Sequence, residues 1–389
     1  MPKTTPVTFA SPTKPAGWTW EATNQEVAAR YGLSIEQVVR FDQNTAPAPP
    51  GAVRELLIGG EFEVALSEYP PSDYGRLIDA AAARYGVARE ELLVGAGADE
   101  ILDLVAKTFI PHGGAAVVPI PTYPMYGILT DQRGARVLRV PRLGVGEGYA
   151  LDIEAVRTGV RSVEGGADLV WLCNPNNPTG TFEPQGRIEA LLTGLAADAS
   201  ADGRIAPVVL IDEAYIEFAG DSHHVLRAAY PRLIVARTMS KAYAIAGLRV
   251  GFAIATPEVI DEISTYRPPG SVSIVSVEVA AALLPDDDLV HGRVADVIAE
   301  RTRFAAALEE AGWIVHPSAT NFLLVSFPTP QTADAVAEAL LKRGLIPRTF
   351  PSGHPLDTCI RLTVRNRAQD DRLIQAAQEI SRGLEPARN

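Results

Sequence analysis

A lysine set in an apolar, glycine-containing run, with a hydroxyl neighbour before it and an arginine after it, is a candidate point of covalent attachment, because its amine is a nucleophile toward carbonyl carbon. Thr238-Met-Ser-Lys-Ala-Tyr-Ala-Ile-Ala-Gly-Leu-Arg-Val-Gly-Phe252 places Lys241 between Ser240 and Arg249 in this way. Most lysines are solvated surface charges, so this run alone says little. Upstream, Asp212-Glu-Ala-Tyr215 adds a carboxylate and a phenol, and Asn174-Pro-Asn-Asn-Pro-Thr-Gly180 adds the Asn177 amide.

Each of these groups follows an apolar stretch that reads as a strand: Leu169-Val-Trp-Leu172 before Asn177, Val208-Val-Leu-Ile211 before Asp212, and Leu233-Ile-Val-Ala236 before Lys241. In open α/β sheets, ligands collect outside the carboxyl ends of parallel strands, so polar residues there belong to one mouth. Further strand signals at Ala115–Val118 and Arg136–Val140 alternate with helical ones such as 187–197, which implies a mainly parallel sheet between helices. Glu91-Leu-Leu-Val94 feeds Gly95-Ala-Gly-Ala-Asp-Glu100 and a helix through Phe109, a unit that aims the backbone N–H groups of Ala98 and Asp99 at an anion such as phosphate.

Outside this core, residues 1–17 read as a loose Pro- and Thr-rich arm, Glu26–Leu33 as a helix stopped by Gly32, and Ser34-Ile-Glu-Gln37 as a capping box opening another helix. Beyond Arg267-Pro-Pro-Gly270 the texture changes to a long helix near 290–311, strands at 321–325 and 361–364, and a final helix, which reads as a smaller α+β domain. The expected division is therefore 1–44 as N-terminal arm and helices, 45–270 as a large ligand-binding domain, and 271–389 as a small C-terminal domain.

With 389 residues, 47% of them hydrophobic, the chain has material for two domains around a large core. No apolar run approaches the length of a membrane span and the first residues lack the apolar core of a signal peptide, so the protein reads as cytoplasmic. Cys173 and Cys359 offer no disulfide framework and no zinc-type spacing to histidine, and no metal site is expected. A net charge of −12 argues against broad nucleic-acid binding while leaving room for a locally positive pocket.

Taken in order, Gly95-Ala-Gly-Ala-Asp-Glu100, Pro121-Thr-Tyr-Pro124, Asn174–Gly180, Asp212-Glu-Ala-Tyr-Ile-Glu-Phe218, Ser240-Lys-Ala-Tyr243, Gly247–Phe252 and Arg267-Pro-Pro269 resemble the histidinol-phosphate aminotransferase family, from about Arg40 to the C-terminus. The resemblance implies a fold-type I α/β architecture, a large domain with a mainly parallel sheet between helices plus a smaller α+β domain, and pyridoxal 5′-phosphate as cofactor. It implies that Lys241 bonds the cofactor and moves protons, that Asp212 opposes the ring nitrogen, and that Tyr215 and Asn177 donate to the phenolate oxygen. Tyr123 would stack on the ring, and Ser240, Arg249, Ala98 and Asp99 would hold the phosphate. Arg361 and Arg348 match substrate-contacting arginines, Asn44 aligns with a segment near the active site, and Tyr69, before Pro70, matches a tyrosine that reaches the neighbouring subunit's phosphate, implying a homodimer.

The departures from the resembled pattern fall where substrate is chosen. Asp42-Gln-Asn44 replaces Asn-Glu-Asn, Trp18 stands where tyrosine is common, and Arg365-Asn366 replaces Gly-Thr. The leading expectation is amino transfer from an L-amino acid or amino-alcohol phosphate, histidinol phosphate first, to 2-oxoglutarate. An aromatic amino acid aminotransferase and a threonine-phosphate decarboxylase-like enzyme, the latter suggested by Val27–Gln37, are the alternatives.

Overall fold

The computed structural model describes residues 22–59 and 66–384, so the arm and Trp18 lie outside the described residues. The strands in chain order are β1 (Val39–Arg40), β2 (Leu92–Gly95), β3 (Ala115–Ile120), β4 (Arg136–Pro141), β5 (Leu169–Cys173), β6 (Val208–Asp212), β7 (Leu233–Thr238), β8 (Gly251–Ile254), β9 (Ile314–Val315), β10 (Phe322–Ser326), β11 (Leu345–Ile346) and β12 (Cys359–Thr363).

Seven of them form one sheet in the order β2-β8-β7-β6-β5-β3-β4. From β4 to β7 all pairs are parallel, and β8 runs antiparallel to both β7 and β2. β8 begins at the end of the run that carries Lys241, where the sequence reading places no strand. Strands β5, β6 and β7 are buried along their whole length, as expected of strands covered on both faces.

Because successive side chains point to opposite faces, those strands feed two separate cores. Val170, Val209 and Val235 pack with Leu77, Val156 and Leu191 of the helices Gly75–Tyr85, Ile153–Arg161 and Gln185–Ala201. Trp171, Leu210 and Ile234 pack with Ile101, Tyr126 and Ile263 of Ala98–Phe109, Met125–Gln132 and Pro257–Ser264. Each such aliphatic side chain contributes about 1.5–3 kcal/mol on burial, so the strand ends that carry polar residues are held by a rigid base.

The second layer is a three-stranded antiparallel sheet, β12-β10-β9, with β1 and β11 forming a separate parallel pair. Val39 and Phe41 share a core with Phe304, Leu323 and Leu362, so the segment after the first helix packs into the C-terminal layer. The expected helix after Ser34 is only one 3₁₀ turn, Ile35–Gln37, although Gln37 does return to the Ser34 amide at 2.8 Å. The β-branched Val38-Val39 then leads into pairing with Leu345 and Ile346.

Candidate active site

A cavity of about 640 Å³ opens where the carboxyl ends of the parallel strands meet the C-terminal layer. Its wall brings together Asn44, Ala98, Asp99, Tyr123, Asn177, Asp212, Tyr215, Ser240, Lys241, Arg249, Arg348 and Arg361. Of the residues expected from sequence only Tyr69 stands apart. It is 93% exposed, beside Gly270 on the outer surface.

The floor is built by β6. Asp212, buried at its end, accepts from the Tyr126 hydroxyl at 2.8 Å and from the Ala214 amide at 3.1 Å. Burial pushes its carboxyl up to about 6 against these two bonds, because a charge with little solvent and no formal counter-ion in contact is disfavoured. Among the described residues Asp212 has no ion-pair partner. Tyr126 itself is stacked on Trp171, with centroids 5.4 Å apart and planes 13° apart, and meets Tyr123 edge-on at 5.7 Å. Sequence reasoning missed Tyr126. Its signal was a second aromatic three residues after Tyr123, just inside the helix that Pro124 opens.

Lys241 follows β7 on a turn, half-buried, with Nζ 3.4 Å from the Gln43 carbonyl and 5.7 Å from the Tyr215 ring centre. Burial holds the amine down to about 8, and the guanidinium groups of Arg361 and Arg249 act the same way, partly opposed by Asp99 and Asp212. The amine is therefore substantially neutral at mildly alkaline pH, as a nucleophile or base requires.

Beside the lysine, the start of helix Ala98–Phe109 meets Arg249. Arg249 Nη2 lies 3.1 Å from Asp99 Oδ2, and the Tyr123 hydroxyl donates to Asp99 Oδ1 at 3.1 Å. Gly97 has φ +82°, and a Cβ there would lie 2.5 Å from Arg249 Nη2. A Cβ on Gly251 would lie 2.5 Å from the Gly97 carbonyl carbon. Glycine at both positions lets guanidinium, loop and helix N-terminus converge, which is the donor set an anion needs. Ser240 adds its hydroxyl, 2.9 Å from that of Thr238.

The opposite rim comes from β12 and the 42–45 loop. Arg361 donates to Asn177 Oδ1 at 2.5 Å and to the Asp42 carbonyl, while Asn44, in the left-handed region at φ 54°, donates to the Tyr215 hydroxyl at 2.9 Å. Backbone bonds of 3.0 and 2.9 Å pair Arg348 with Arg361, so both arginines reach one rim. Tyr215 is raised above the usual phenol range by burial, although Arg361 opposes this.

A reactive amine, a buried carboxylate without a counter-ion and an anion cradle around one cavity fit a ligand with a carbonyl, a basic ring nitrogen and a phosphate. The family model for aminotransferase class I and II matches residues 38–376. The chain is 34% identical over 364 residues to the histidinol-phosphate aminotransferase of Roseiflexus castenholzii, covering 92% of this chain and 93% of that one. It is 35% identical to the one of Thermococcus gammatolerans, covering 89% and 92%. The solved histidinol-phosphate aminotransferase of Sinorhizobium meliloti, in complex with pyridoxal 5′-phosphate, superposes with a TM-score of 0.82 at 25% identity, covering 97% of this chain and all of that one. The chain belongs to the aminotransferase class I and II family, whose members are pyridoxal-phosphate-dependent enzymes.

Proposed function

We propose that this aminotransferase moves an amino group between an L-amino acid or amino-alcohol phosphate, histidinol phosphate first, and 2-oxoglutarate. The observation that carries the reading is the single cavity shared by Lys241, Asp212 and two rim arginines, Arg348 and Arg361. The names of the relatives support the donor.

When bound, pyridoxal phosphate supplies a carbonyl carbon for the amino group and a ring that takes up electrons from the substrate's α-carbon. Asp212 would face the ring nitrogen and keep it protonated, which relieves the carboxylate of its uncompensated burial. Tyr215 and Asn177 would hold the phenolate oxygen, and Tyr123 the ring face. Ser240, Arg249 and the amides of Ala98 and Asp99 would hold the phosphate. Lys241 Nζ carries the proton to and from the substrate's α-carbon. Arg361 and Arg348 grip the substrate's anionic group, bidentate geometry being the strength of guanidinium.

On this reading 45–270 is the large cofactor-binding domain, 271–389 the small C-terminal domain that carries Arg348 and Arg361, and 1–44 the N-terminal arm and helices. Tyr69, exposed and outside its own cavity, supports a homodimer in which it enters the neighbouring site.

A panel of amino donors with 2-oxoglutarate, read as glutamate formed alongside carbon dioxide released, tests the reaction. Glutamate without carbon dioxide, fastest with histidinol phosphate, is the expected result. An aromatic donor preferred over histidinol phosphate would move the assignment to the aromatic enzymes, and carbon dioxide without glutamate would replace transfer by decarboxylation.

A further inference from the structure

Two of the three places where the chain departs from the pattern it resembles, 42–44 and 365–366, come together on one loop. Arg40 grips the Asp42 carboxylate as a two-pronged fork, Nε to Oδ1 at 2.8 Å and Nη2 to Oδ2 at 2.5 Å, with the side chains only 15% and 5% exposed. The remaining nitrogen of Arg40 donates to the Ala22 carbonyl at 2.8 Å. At the other end of the loop, Arg365 Nη1 donates to the Thr45 carbonyl at 2.5 Å and its Nε to Gln369 at 3.1 Å. Asp42 also lies within electrostatic reach of Arg365.

Between these two anchors, three consecutive residues each offer a polar group to a different wall of the cavity. The Asp42 carbonyl accepts from Arg361, the Gln43 carbonyl from Lys241 at 3.4 Å, and the Asn44 amide donates to Tyr215 at 2.9 Å. Arg40 does not itself line the cavity; it meets the wall through Asp42. Its effect would pass through Asp42, whose carbonyl accepts from Arg361 while its carboxylate is held by Arg40.

We propose that Arg40 and Arg365 are positioning residues: they clamp the 42–45 loop at its two ends and so set the orientation in which Arg361 meets the substrate's anionic group. The clamp is a matter of charge-assisted hydrogen bonds, bidentate at Asp42, so lysine cannot replace arginine there at full strength. The substrate half of the inference rests on the aminotransferase reading, whereas the loop half does not.

The test uses the full chain, with Arg40→Met and Arg365→Met, and with Arg40→Lys as the conservative variant. Sodium maleate and inorganic phosphate, two anions that cannot be transaminated, are titrated by calorimetry into the cofactor-loaded protein. Each methionine variant weakens the binding of at least one of them about tenfold and raises KM by a similar factor with kcat nearly unchanged, the size expected for a lost charge-assisted bond. Arg40→Lys falls between. Hydrogen exchange of the peptide spanning 41–47, read without cofactor or substrate, quickens by about tenfold.

Lower melting temperatures with unchanged anion affinity and unchanged exchange overturn the proposal and leave the two arginines merely structural. Quickened exchange in a protein that transaminates none of the donors would instead remove the aminotransferase reading and leave the clamp standing. Should Arg40→Met fail to fold, Asp42→Asn reads the same effect, since it weakens the fork and keeps the carbonyl that Arg361 uses.

Discussion

Asp212 and Glu213 are neighbours at the end of β6, both buried, yet they face opposite sides of the sheet and meet opposite treatment. Asp212, on the cavity side, has two hydrogen-bond donors and no ion-pair partner among the described residues, and burial leaves it at about 6. Glu213, on the other side, is pushed up by burial, but the hydrogen bonds from His223 and the charge of Arg237 outweigh this and hold it below the usual range. The His223 amide and Nδ1 lie 2.7 and 2.9 Å from its Oε1, and the Ser222 hydroxyl 2.5 Å from its Oε2. A buried charge that the fold fully satisfies holds the structure together. One left under-satisfied in a cavity marks where a ligand completes the structure.

The contrast makes the two faces respond differently to mutation. Lys241→Ala, on the cavity side, lowers turnover by roughly 10⁴-fold, the upper range for a lost proton-transfer group, while far-ultraviolet circular dichroism stays that of the parent. Unchanged turnover would remove the central assignment. Glu213→Gln, on the core side, costs about 3–5 kcal/mol in urea unfolding because it removes the buried carboxylate that His223 and Ser222 bond, and leaves Arg237 with Glu217 alone. A loss below about 1 kcal/mol would mean that the network is not what secures this strand end.

Asp212→Asn moves the other way. Since the folded value of about 6 lies above the ordinary 3.8, the folded protein holds that proton more tightly than the unfolded chain does. The resulting stabilisation is complete below pH 3.8 and is lost as pH rises through 6, a difference of about 3 kcal/mol as an order of magnitude. Without cofactor, Asp212→Asn is therefore expected to flatten this part of the stability profile and to unfold at higher urea than the parent at pH 7. A less stable variant would contradict the under-satisfied carboxylate. The smallest effect is that of Tyr126→Phe, which removes one hydrogen bond to Asp212. It costs about 1 kcal/mol above pH 6 and shifts the Asp212 midpoint further upward, measurable in the same profile.

A separate titration addresses the amine. Acylation of Lys241 in cofactor-free protein, followed by mass spectrometry, should rise with a midpoint near pH 8. A midpoint at the ordinary lysine value would place Nζ in solvent.

The cavity side was largely legible in sequence because strand ends punctuated by polar residues are local signals. Lys241, Asp212, Tyr215 and Asn177 were each readable from the apolar run before them. Tyr126 was not, since in a single chain a tyrosine at the start of a helix looks like core filler until its hydroxyl is seen 2.8 Å from a carboxylate. β8 escaped because its glycine and the preceding 3₁₀ turn hide the period of a strand. The roles of Arg40 and Arg365 were beyond reach for another reason: both depend on a loop whose partners lie from 171 to 320 positions away, as in the 319-residue separation between Asn44 and Thr363.

That separation has a consequence for how the enzyme comes into being. The Thr363 amide donates to the Phe41 carbonyl at 2.8 Å, so one wall of the cavity is stitched from the two ends of the chain. The strand ends that carry the amine and the carboxylate can assemble as soon as the central sheet has formed. The rim that carries Arg361 must wait until β12 has left the ribosome, and closing so long a loop is the slow, entropically costly kind of contact. A nascent or C-terminally clipped chain is thus expected to present a floor with no rim, so ribosome-bound chains ending before Cys359 should fail to retain maleate.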